Sequence, residues 1–405
     1  MTYGAPGDKS KGTVMIDVAR ARADTPAVED QAFFYNCGAG LMPDPVLKAL
    51  HDHLDLEARI GGYAAEEQVE PQAQATYASI ATMLNCAPEE IALVENATVA
   101  WCQAFYGLAQ DMKPGDNVVT VIAEYASNFI SFLRTVKRRG IEIVVAPNDA
   151  DGQVDLEALD GLVNDRTRLI AMTHIPTSGG LISPAAEVGK IARAKGVPYL
   201  LDACQSAGQL PLDVQTIGCD FLSATGRKFL RGPRGTGFLY ASRAIMETHE
   251  PPVLDLHSAT WVAPDRYEMQ PTARRYENWE FYVAGKVGLG VAVDYALSFG
   301  LAEIAARNRE LAGDLRERLG AIDGVTLRDA GRDQCAIVTF SHDRLSVDEI
   351  AARLLERSIV IGTSAPEATR LDFESRALPP LCRAAVHYLN TEDEVARLAD
   401  AVSAL

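Results

Sequence analysis

The chain has 405 residues, a length that suffices for one large domain and a smaller one. Of these residues 48% are hydrophobic and 23% charged, which is typical of a folded enzyme. Its net charge of −17 argues against a nucleic-acid partner, because phosphate binding needs clustered Lys and Arg. No apolar run approaches the ~20 residues of a membrane span, and the N-terminus (MTYGAPGDKSKGTV) lacks the apolar core of a secretory signal, so we expect a cytoplasmic protein with no membrane partner.

The cysteines and histidines offer no metal or disulfide pattern. The seven cysteines are scattered, odd in number and without a CxxC pair: Cys37, Cys86, Cys102, Cys204, Cys219, Cys335 and Cys382. This usage is typical of a reducing compartment. His51 and His53 are two positions apart on a predicted helix and therefore face different directions. We predict no metal site.

Residues 1–30 are polar and poorly periodic, and we predict a loose N-terminal arm. From Phe33 onward, continuous apolar runs alternate with amphipathic patterns. The predicted strands are Val118–Ala123, Glu142–Pro147, Arg168–His174, Tyr199–Asp202, Phe221–Ala224 and Phe238–Tyr240, and the predicted helices are Asn128–Gly140 and Ala185–Lys195. This alternation predicts a large domain, residues 31–288, with a mostly parallel sheet covered on both faces. Gly140 and Gly196 stand where helix C-caps are expected.

After about residue 288 the pattern changes, and we predict a smaller α+β domain over residues 289–405. Its predicted elements are a long helical stretch Val291–Leu319, a strand Cys335–Phe340, a helix Ser346–Arg357 and a helical tail Thr391–Leu405. Thr391 and Glu394 have the spacing of a capping box at the start of that tail.

Two residues at predicted strand ends, Asp202 and Lys228, carry the main chemical indication. Sheets of this kind bind ligands at the carboxyl ends of their strands, where Tyr125, His174 and Thr177 also fall. A lysine amine can form a Schiff base with the aldehyde of pyridoxal phosphate (PLP), and a buried carboxylate can keep its ring nitrogen protonated. Taken singly, Asp202 could be a helix cap and Lys228 a surface charge. Their convergence with the other strand-end residues favours a PLP site.

The stretch Cys219-Asp-Phe-Leu-Ser-Ala-Thr-Gly-Arg-Lys228, followed by Gly232, Gly235 and Gly237, resembles PLP enzymes of the aminotransferase class V family, in its cysteine desulfurase-like and isopenicillin N epimerase-like branches. The resemblance runs from about Tyr35 to the C-terminus. It implies an α/β protein of PLP-dependent transferase fold type I, in which a large domain with a mostly parallel seven-stranded sheet is followed by a small α+β C-terminal domain. It also implies PLP as the cofactor.

The resemblance assigns cofactor contacts residue by residue. Lys228 matches the Schiff-base lysine, and Asp202 the partner of the ring nitrogen. Gln205 matches the glutamine that bonds the phenolic oxygen. Thr225 takes the Ser/Thr place among the phosphate contacts, and Arg227 replaces a histidine and would bring positive charge to the phosphate.

Four further residues complete the expected cofactor contacts. Ala97 and Thr98, in Glu95-Asn-Ala-Thr98, match a helix N-terminus that holds the phosphate through its free N–H groups. Tyr125 stands where desulfurases place a histidine over the ring; a phenol can also stack and deliver a proton, and the alternative is a half-buried core aromatic. Thr177 replaces an asparagine near the phenolic oxygen.

The resemblance also assigns substrate contacts. Arg383 matches the arginine that grips the substrate carboxylate, the alternative being a surface helix arginine. Asn36 and Ala39 match a loop that lines the substrate site. Tyr63 replaces a histidine that some relatives present. The implied substrate is a small α-amino acid.

Two departures from the family pattern narrow the function. Ile361–Arg376, where desulfurases carry their sulfur-accepting cysteine, contains none, and Cys382 lies in an apparently helical segment unsuited to a swinging nucleophile. Relatives also send a Thr from the partner subunit to the phosphate, but Glu280 stands near that place. We expect Trp279, Glu280 and Phe281 to shape the substrate pocket instead. The family still implies a homodimer with sites at the interface.

These features predict a PLP-dependent C–S β-lyase of the cysteine-conjugate type that uses no persulfide cysteine. In it, Lys228 would take the Cα proton and Tyr125 would protonate the leaving sulfur. A class V aminotransferase and an amino-acid epimerase remain alternatives, with decarboxylating or oxidative variants behind them, because all share the first steps. A non-catalytic scaffold is disfavoured by the intact Asp202, Gln205 and Lys228.

Overall fold

The computed structural model describes residues 16–405. Its α-helices are α1 Val18–Ala23, α2 Asp44–Ile60, α3 Gly62–Leu84, α4 Ala97–Ala109, α5 Ala126–Arg139, α6 Leu156–Leu162, α7 Ala185–Lys195, α8 Val214–Ile217, α9 Arg243–Met246, α10 Val283–Phe299, α11 Leu301–Gly320, α12 Val347–Leu355, α13 Arg370–Ser375 and α14 Glu392–Ser403. Short 3₁₀ helices cover Pro26–Val28, Pro88–Glu90, Ala273–Tyr276 and Pro366–Ala368.

The strands follow the same chain order. They are β1 Ala32–Phe33, β2 Ile91–Val94, β3 Asn117–Val121, β4 Glu142–Ala146, β5 Thr167–Thr173, β6 Tyr199–Asp202, β7 Phe221–Thr225, β8 Gly237–Ala241, β9 Ala259–Ala263, β10 Arg266–Met269, β11 Val325–Leu327, β12 Ile337–His342, β13 Ile359–Val360, β14 Gly362–Ser364 and β15 Leu381–Ala385.

A seven-stranded sheet in the order β2-β8-β7-β6-β5-β3-β4 forms the centre of the large domain. The pairs from β7 through β6, β5 and β3 to β4 are all parallel, and β8 alone runs against its neighbours. The strands β6 and β7 are buried along their whole length, as expected when helices cover both faces. The predicted α/β fold of type I with a mostly parallel seven-stranded sheet is confirmed.

The helices between these strands end where the sequence indicates. Gly140 closes α5 and Gly196 closes α7, both in the left-handed conformation with φ of 70° and 64°. A residue without a Cβ adopts this conformation at little cost, so each helix stops at its glycine and the chain turns back into the sheet.

A second, antiparallel sheet in the order β11-β12-β15-β14 lies in the C-terminal part, next to α11, α12 and α14. The predicted capping box at Thr391 and Glu394 is present at the start of α14, and Ser346 with Glu349 forms another at α12. The short strand β1 pairs in parallel with β13, which ties the N-terminal segment to this region.

Three details differ from the sequence predictions. The long helix Val291–Leu319 is two helices, because Gly300 breaks the run with φ 84° between α10 and α11. Cys382 lies in the strand β15, so its predicted helical setting is wrong. The described part of the N-terminal arm is packed, since α1 buries Ala21 and Thr25 is 1% exposed.

The division into an arm, a large domain (31–288) and a small domain (289–405) remains a proposal. Its second boundary lies inside α10, a helix whose Gly288 packs against Leu50 of α2. Among residues 16–405 no single helix is both long and apolar enough to cross a membrane. The helices α10 and α11 pass that test only as a pair, with a 75° bend between them.

Candidate active site

A cavity of about 510 Å³ opens at the carboxyl ends of the central strands, beside the N-terminus of α4. It is lined by every residue predicted to contact the cofactor: Ala97, Thr98, Tyr125, Thr177, Asp202, Gln205, Thr225, Arg227 and Lys228. The strand ends bring them together, because β6 ends at Asp202, β7 leads to Lys228 and β3 leads to Tyr125. The volume is typical of a site for a small cofactor with its substrate.

Asp202 and Lys228 are both buried and both line the cavity, and the positive charge of Lys228 lowers the pKa of Asp202. Burial raises the pKa of Asp202. Hydrogen bonds from Asn128 Nδ2 and the Cys204 N–H, each 2.8 Å long, and the positive charge of Lys228 act in the opposite direction. The Asp202 carboxylate can therefore be ionised although it is buried, because hydrogen-bond donors and the positive charge of Lys228 surround it.

The N-terminus of α4 has the features of an anion site. Asn96 caps the helix by accepting the Val99 N–H at 3.0 Å. Within the described residues, the N–H groups of Ala97 and Thr98 have no acceptor, as expected in the first turn of a helix. The backbone of β8 lies very close to the start of α4 and to β7. A Cβ on Gly237 would lie 2.8 Å from the Asn96 carbonyl carbon and 2.7 Å from the Ala224 oxygen, so only glycine fits there.

The loop around Tyr35–Gly40 covers the lysine segment. Arg227 donates a hydrogen bond to the Gly38 carbonyl, and the Gly40 N–H donates to the Arg227 carbonyl at 2.8 Å. Gln205 Nε2 donates to the Cys37 carbonyl at 3.1 Å, whereas Gln205 Oε1 is buried and has no partner among residues 16–405. An orphaned amide oxygen on a cavity wall indicates that a polar group of a ligand belongs beside it.

Tyr125 is half-buried and lies at the N-cap position of α5. Its N–H donates to Glu124 Oε1 at 2.8 Å, which fixes the start of the helix. Tyr125 lines the cavity on the side of α5, and its role toward the cofactor remains a proposal.

Thr177 lines the cavity, but its side chain is engaged by Arg383. Arg383 Nη1 donates to the Thr177 carbonyl at 2.8 Å and to its hydroxyl at 2.6 Å, and Nε donates to the Thr363 carbonyl at 3.1 Å. Arg383 is 7% exposed and lies on β15, directly behind Thr177, so it is not a surface helix arginine. Its Nη2 has no acceptor in residues 16–405.

None of the predicted substrate contacts, Arg383 included, is among the residues that line this cavity. Asn36 is buried and donates to the Ala385 carbonyl at 2.8 Å, and Ala39 follows in the same loop. Tyr63 is 77% exposed and lines a separate cavity of about 620 Å³ together with Trp279, Glu280 and Phe281. Their roles toward substrate therefore remain proposals.

Several residues at the site were not foreseen from the sequence. Cys204, Asn128 and Arg234 also line the cavity, and the buried Glu124 lies behind it. Cys204 could have been noticed from its place between Asp202 and Gln205. The link from Glu124 to Asn128 has the i, i+4 spacing of a helix pair, but its connection to Asp202 depends on how α5 packs on the sheet.

The residues present fit PLP. The free N–H groups of α4 suit a phosphate, and the orphaned Gln205 Oε1 suits a polar ring substituent. Asp202 suits a protonated ring nitrogen and Lys228 an aldehyde.

The profile of the class V aminotransferase family matches residues 32–398. A protein of Methanothermobacter thermautotrophicus, named "probable cysteine desulfurase", is 28% identical over 94% of this chain and 96% of its own length. A cysteine desulfurase of Yersinia pestis is 27% identical over 94% and 96%.

Solved structures show the same fold. A cysteine desulfurase of Thermococcus onnurineus superimposes with a TM-score of 0.89 at 24% identity, covering 97% of this chain and 98% of the other. A cystine C–S lyase in complex with cysteine persulfide superimposes with a TM-score of 0.82 at 24% identity, covering 93% and 99%. With a family match across the chain and the cofactor residues around one cavity, this chain belongs to the class V aminotransferase family and is a PLP-dependent enzyme.

Proposed function

We propose that the chain is a C–S β-lyase that acts on a cysteine-type amino acid, such as a cysteine S-conjugate, and releases the sulfur without passing it to a protein cysteine. The observation that carries the proposal is the absence of cysteine from Ile361–Arg376, the segment where desulfurases of the family carry theirs. The names of the relatives favour a sulfur-bearing amino acid as the substrate.

Side-chain contacts hold both ends of the segment Ile361–Arg376. Ser364 Oγ lies 3.2 Å from Ser178 Oγ, and Asp372 is 3% exposed and pairs with Arg376 Nη1 at 3.3 Å. These contacts hold the two ends of the segment, whereas Pro366–Ala368 between them buries no side chain, so the missing cysteine remains the observation that carries the proposal.

The cysteines closest to the site are unsuited to the same task. Cys204 lines the cavity, but burial raises the pKa of its thiol, and a thiolate is the form that attacks sulfur. Cys382 is fully buried in β15, and burial raises its pKa to about 12. Burial therefore disfavours the reactive thiolate form at both cysteines.

We infer an elimination performed by the cavity residues Lys228 and Tyr125 together with Arg383, which is bonded to the cavity-lining Thr177. PLP, when bound, supplies a ring that accepts the electrons left at Cα. Arg383 holds the substrate carboxylate, Lys228 Nζ takes the proton from Cα, and Tyr125 Oη gives a proton to the sulfur that leaves Cβ. The Cα–H and Cβ–S bonds break and a Cα–Cβ double bond forms, so that substrate and water give a thiol, pyruvate and ammonium with no external oxidant or reductant.

The test is to incubate the purified holoenzyme with cysteine S-conjugates and with plain amino acids. Pyruvate and ammonia in equal amounts, without an added acceptor, are the expected products. A keto acid that forms only when a second keto acid is supplied would identify an aminotransferase. Racemisation or deuterium exchange at Cα without elimination would identify an epimerase. Either result would replace the lyase proposal.

We further propose a homodimer with active sites at the interface. Large apolar side chains are exposed along residues 253–282, including Leu256 (69%), Trp261 (78%) and Trp279 (55%). Apolar exposure on this scale is typical of an association surface. Light scattering on the purified protein should give twice the chain mass, and a monomer at micromolar concentration would contradict the proposal.

We also propose that the protein works in the cytoplasm. All seven cysteines are free, which fits a reducing compartment. Fractionation of the source cells, followed by detection of the chain in the cytosolic fraction, is the corresponding test.

A further inference from the structure

A buried polar cluster extends from the cavity wall at Asp202 and Asn128 to Glu124, and the elimination described above gives no role to Asn128 or Glu124. Asn128 Nδ2 donates one hydrogen bond to Asp202 Oδ2 at 2.8 Å and another to Glu124 Oε1 at 2.9 Å. All three side chains are at most 4% exposed. One amide group therefore bridges two carboxyl groups in the protein interior.

Glu124 is fixed by more bonds than any other member of the cluster. Its Oε1 also accepts hydrogen bonds from the Tyr125 N–H at 2.8 Å and from the Thr173 hydroxyl, and its Oε2 accepts one from Thr120 Oγ1 at 3.2 Å. These donors come from β3, β5 and the start of α5. Glu124 is thus anchored to the sheet and cannot turn away from Asn128 without leaving several buried donors unpaired.

The orientation of the Asn128 amide follows from this anchor. Both neighbouring atoms, Glu124 Oε1 and Asp202 Oδ2, are acceptors, so only the Nδ2 end can face them. A flipped amide would place its oxygen against two carboxyl oxygens in a desolvated place, which is costly. Glu124 therefore holds the donor end of Asn128 toward Asp202.

The consequence for Asp202 is a carboxylate with a fixed rotation. Asn128 occupies Oδ2, and the Cys204 N–H occupies Oδ1 at 2.8 Å. Hydrogen bonds to both oxygens favour the ionised form and hold the plane of the group. Burial acts in the opposite direction on the pKa of Asp202, so the loss of either donor shifts the balance toward the neutral acid.

We propose that Asn128 and Glu124 are positioning residues for Asp202: Glu124 orients the Asn128 amide, and the amide holds Asp202 charged and aligned for the cofactor's ring nitrogen. The inference rests on Asp202 being the partner of that nitrogen, which is part of the proposed function.

The experiment measures the protonation state of the cofactor's ring nitrogen. The wild type and the variants Asn128→Ala, Asn128→Ser, Glu124→Ala and Glu124→Gln are loaded with ¹⁵N-labelled PLP, and the ring ¹⁵N chemical shift is measured by NMR. We expect the wild type to show the shift of a protonated nitrogen. In the two Asn128 variants the ring ¹⁵N shift should move toward that of an unprotonated nitrogen, because Asp202 has lost a hydrogen-bond donor. Glu124→Ala should move the shift in the same direction, because the Asn128 amide is no longer held in place.

The variant Glu124→Gln distinguishes the hydrogen bonds made by Glu124 from its negative charge. Its amide oxygen can accept the bonds from Tyr125 and Thr173 and the bond from Asn128, while its amide nitrogen can donate to Thr120 Oγ1. We therefore expect it to keep the wild-type shift. Asn308→Ala is the matched control, since Asn308 is equally buried on α11 and away from the cavity. It should leave the shift unchanged even if it lowers stability.

Wild-type shifts in both Asn128→Ser and Glu124→Ala, in folded protein, would overturn the proposal. A Glu124→Gln shift that moves as far as that of Glu124→Ala would overturn the assigned role of Glu124. An unprotonated nitrogen in the wild type would remove its basis. None of these outcomes bears on the elimination, which is judged by its products alone.

Discussion

Arg383 is the residue on which substrate recognition depends most in this account. Its guanidinium is preorganised by Thr177 and Thr363, which leaves Nη2 to meet a carboxylate. A buried guanidinium–carboxylate pair that loses one partner costs about 2 kcal/mol or more, which corresponds to roughly a thirtyfold rise in KM. We predict this rise for Arg383→Ala, with a smaller change in kcat. Exposed Arg370→Ala is the control, and an unchanged KM in Arg383→Ala would remove the carboxylate anchor.

A substitution of Tyr125 tests whether its hydroxyl delivers the proton to the leaving sulfur. Tyr125→Phe keeps the ring on the cavity wall and removes only Oη. Because a positioned general acid contributes about 100-fold or more, kcat should fall by roughly that factor while the cofactor's absorption spectrum stays as in the wild type. Tyr106→Phe, in the C-terminal half of α4 and outside the cavity lining, should keep full activity. Equal kcat values for the two variants would show that another group protonates the sulfur.

At the scale of elements, the packing of α7 against α8 supports the strand that leads to Lys228. A Cβ on Gly189 would lie 1.8 Å from the Ile217 oxygen, whereas nothing lies within 4 Å of one on Gly313 in α11. We predict that Gly189→Ala lowers the free energy of unfolding by about 2 kcal/mol, because two backbones must separate. Gly313→Ala should raise it by about 0.5–1 kcal/mol. Urea unfolding midpoints measure both, and equal shifts in the same direction would contradict the packing described here.

The elements of the large domain could be predicted from the sequence because its strands are continuous apolar runs bounded by glycines. The run Tyr199–Asp202 and the helix Ala185–Lys195 agree with the structure to the residue. The errors lie where periodicity carries no information. The strand Leu381–Ala385 is a short buried run that a helix could equally contain, and the bend at Gly300 interrupts a helical pattern that continues on both sides.

The cavity residues that follow strands could also be predicted from the sequence. Residues such as Asp202 and Lys228 follow strands, and the carboxyl ends of parallel strands meet at one edge of a sheet. Glu124 and Asn128 were missed because their link to Asp202 is set by side-chain packing across elements. Thr177 was placed at the cavity, but its bond to Arg383 joins residues 206 positions apart in the chain.

At the scale of the whole molecule, two fully buried histidines make stability depend on pH. Burial lowers the pKa of His174 to about 4; it lowers that of His387 to about 3, with help from the nearby Arg231 charge. In the unfolded chain both return to about 6.5. Between these values the unfolded state binds protons that the folded state does not, so this contribution to stability is complete above about pH 6.5 and is lost as the pH falls.

The loss should reach roughly 1 kcal/mol per histidine at about pH 5.5. Urea unfolding of the wild type and of His387→Gln, at neutral pH and at about pH 5.5, should show a smaller acid-induced loss in the variant. Exposed His51→Gln should behave as the wild type does. If acidification destabilises all three proteins equally, His387 takes up its proton in the folded state.

The claim that sulfur leaves this enzyme without a protein persulfide can be measured directly. The holoenzyme is turned over with cysteine or a cysteine S-conjugate, free thiols are blocked, and the intact chain and its cysteine-containing peptides are weighed by mass spectrometry. We predict stoichiometric pyruvate and free thiol or sulfide, with no cysteine carrying an added sulfur atom. An added sulfur on Cys204, or on any other cysteine, that accumulates with turnover and is discharged by a thiol acceptor would contradict it.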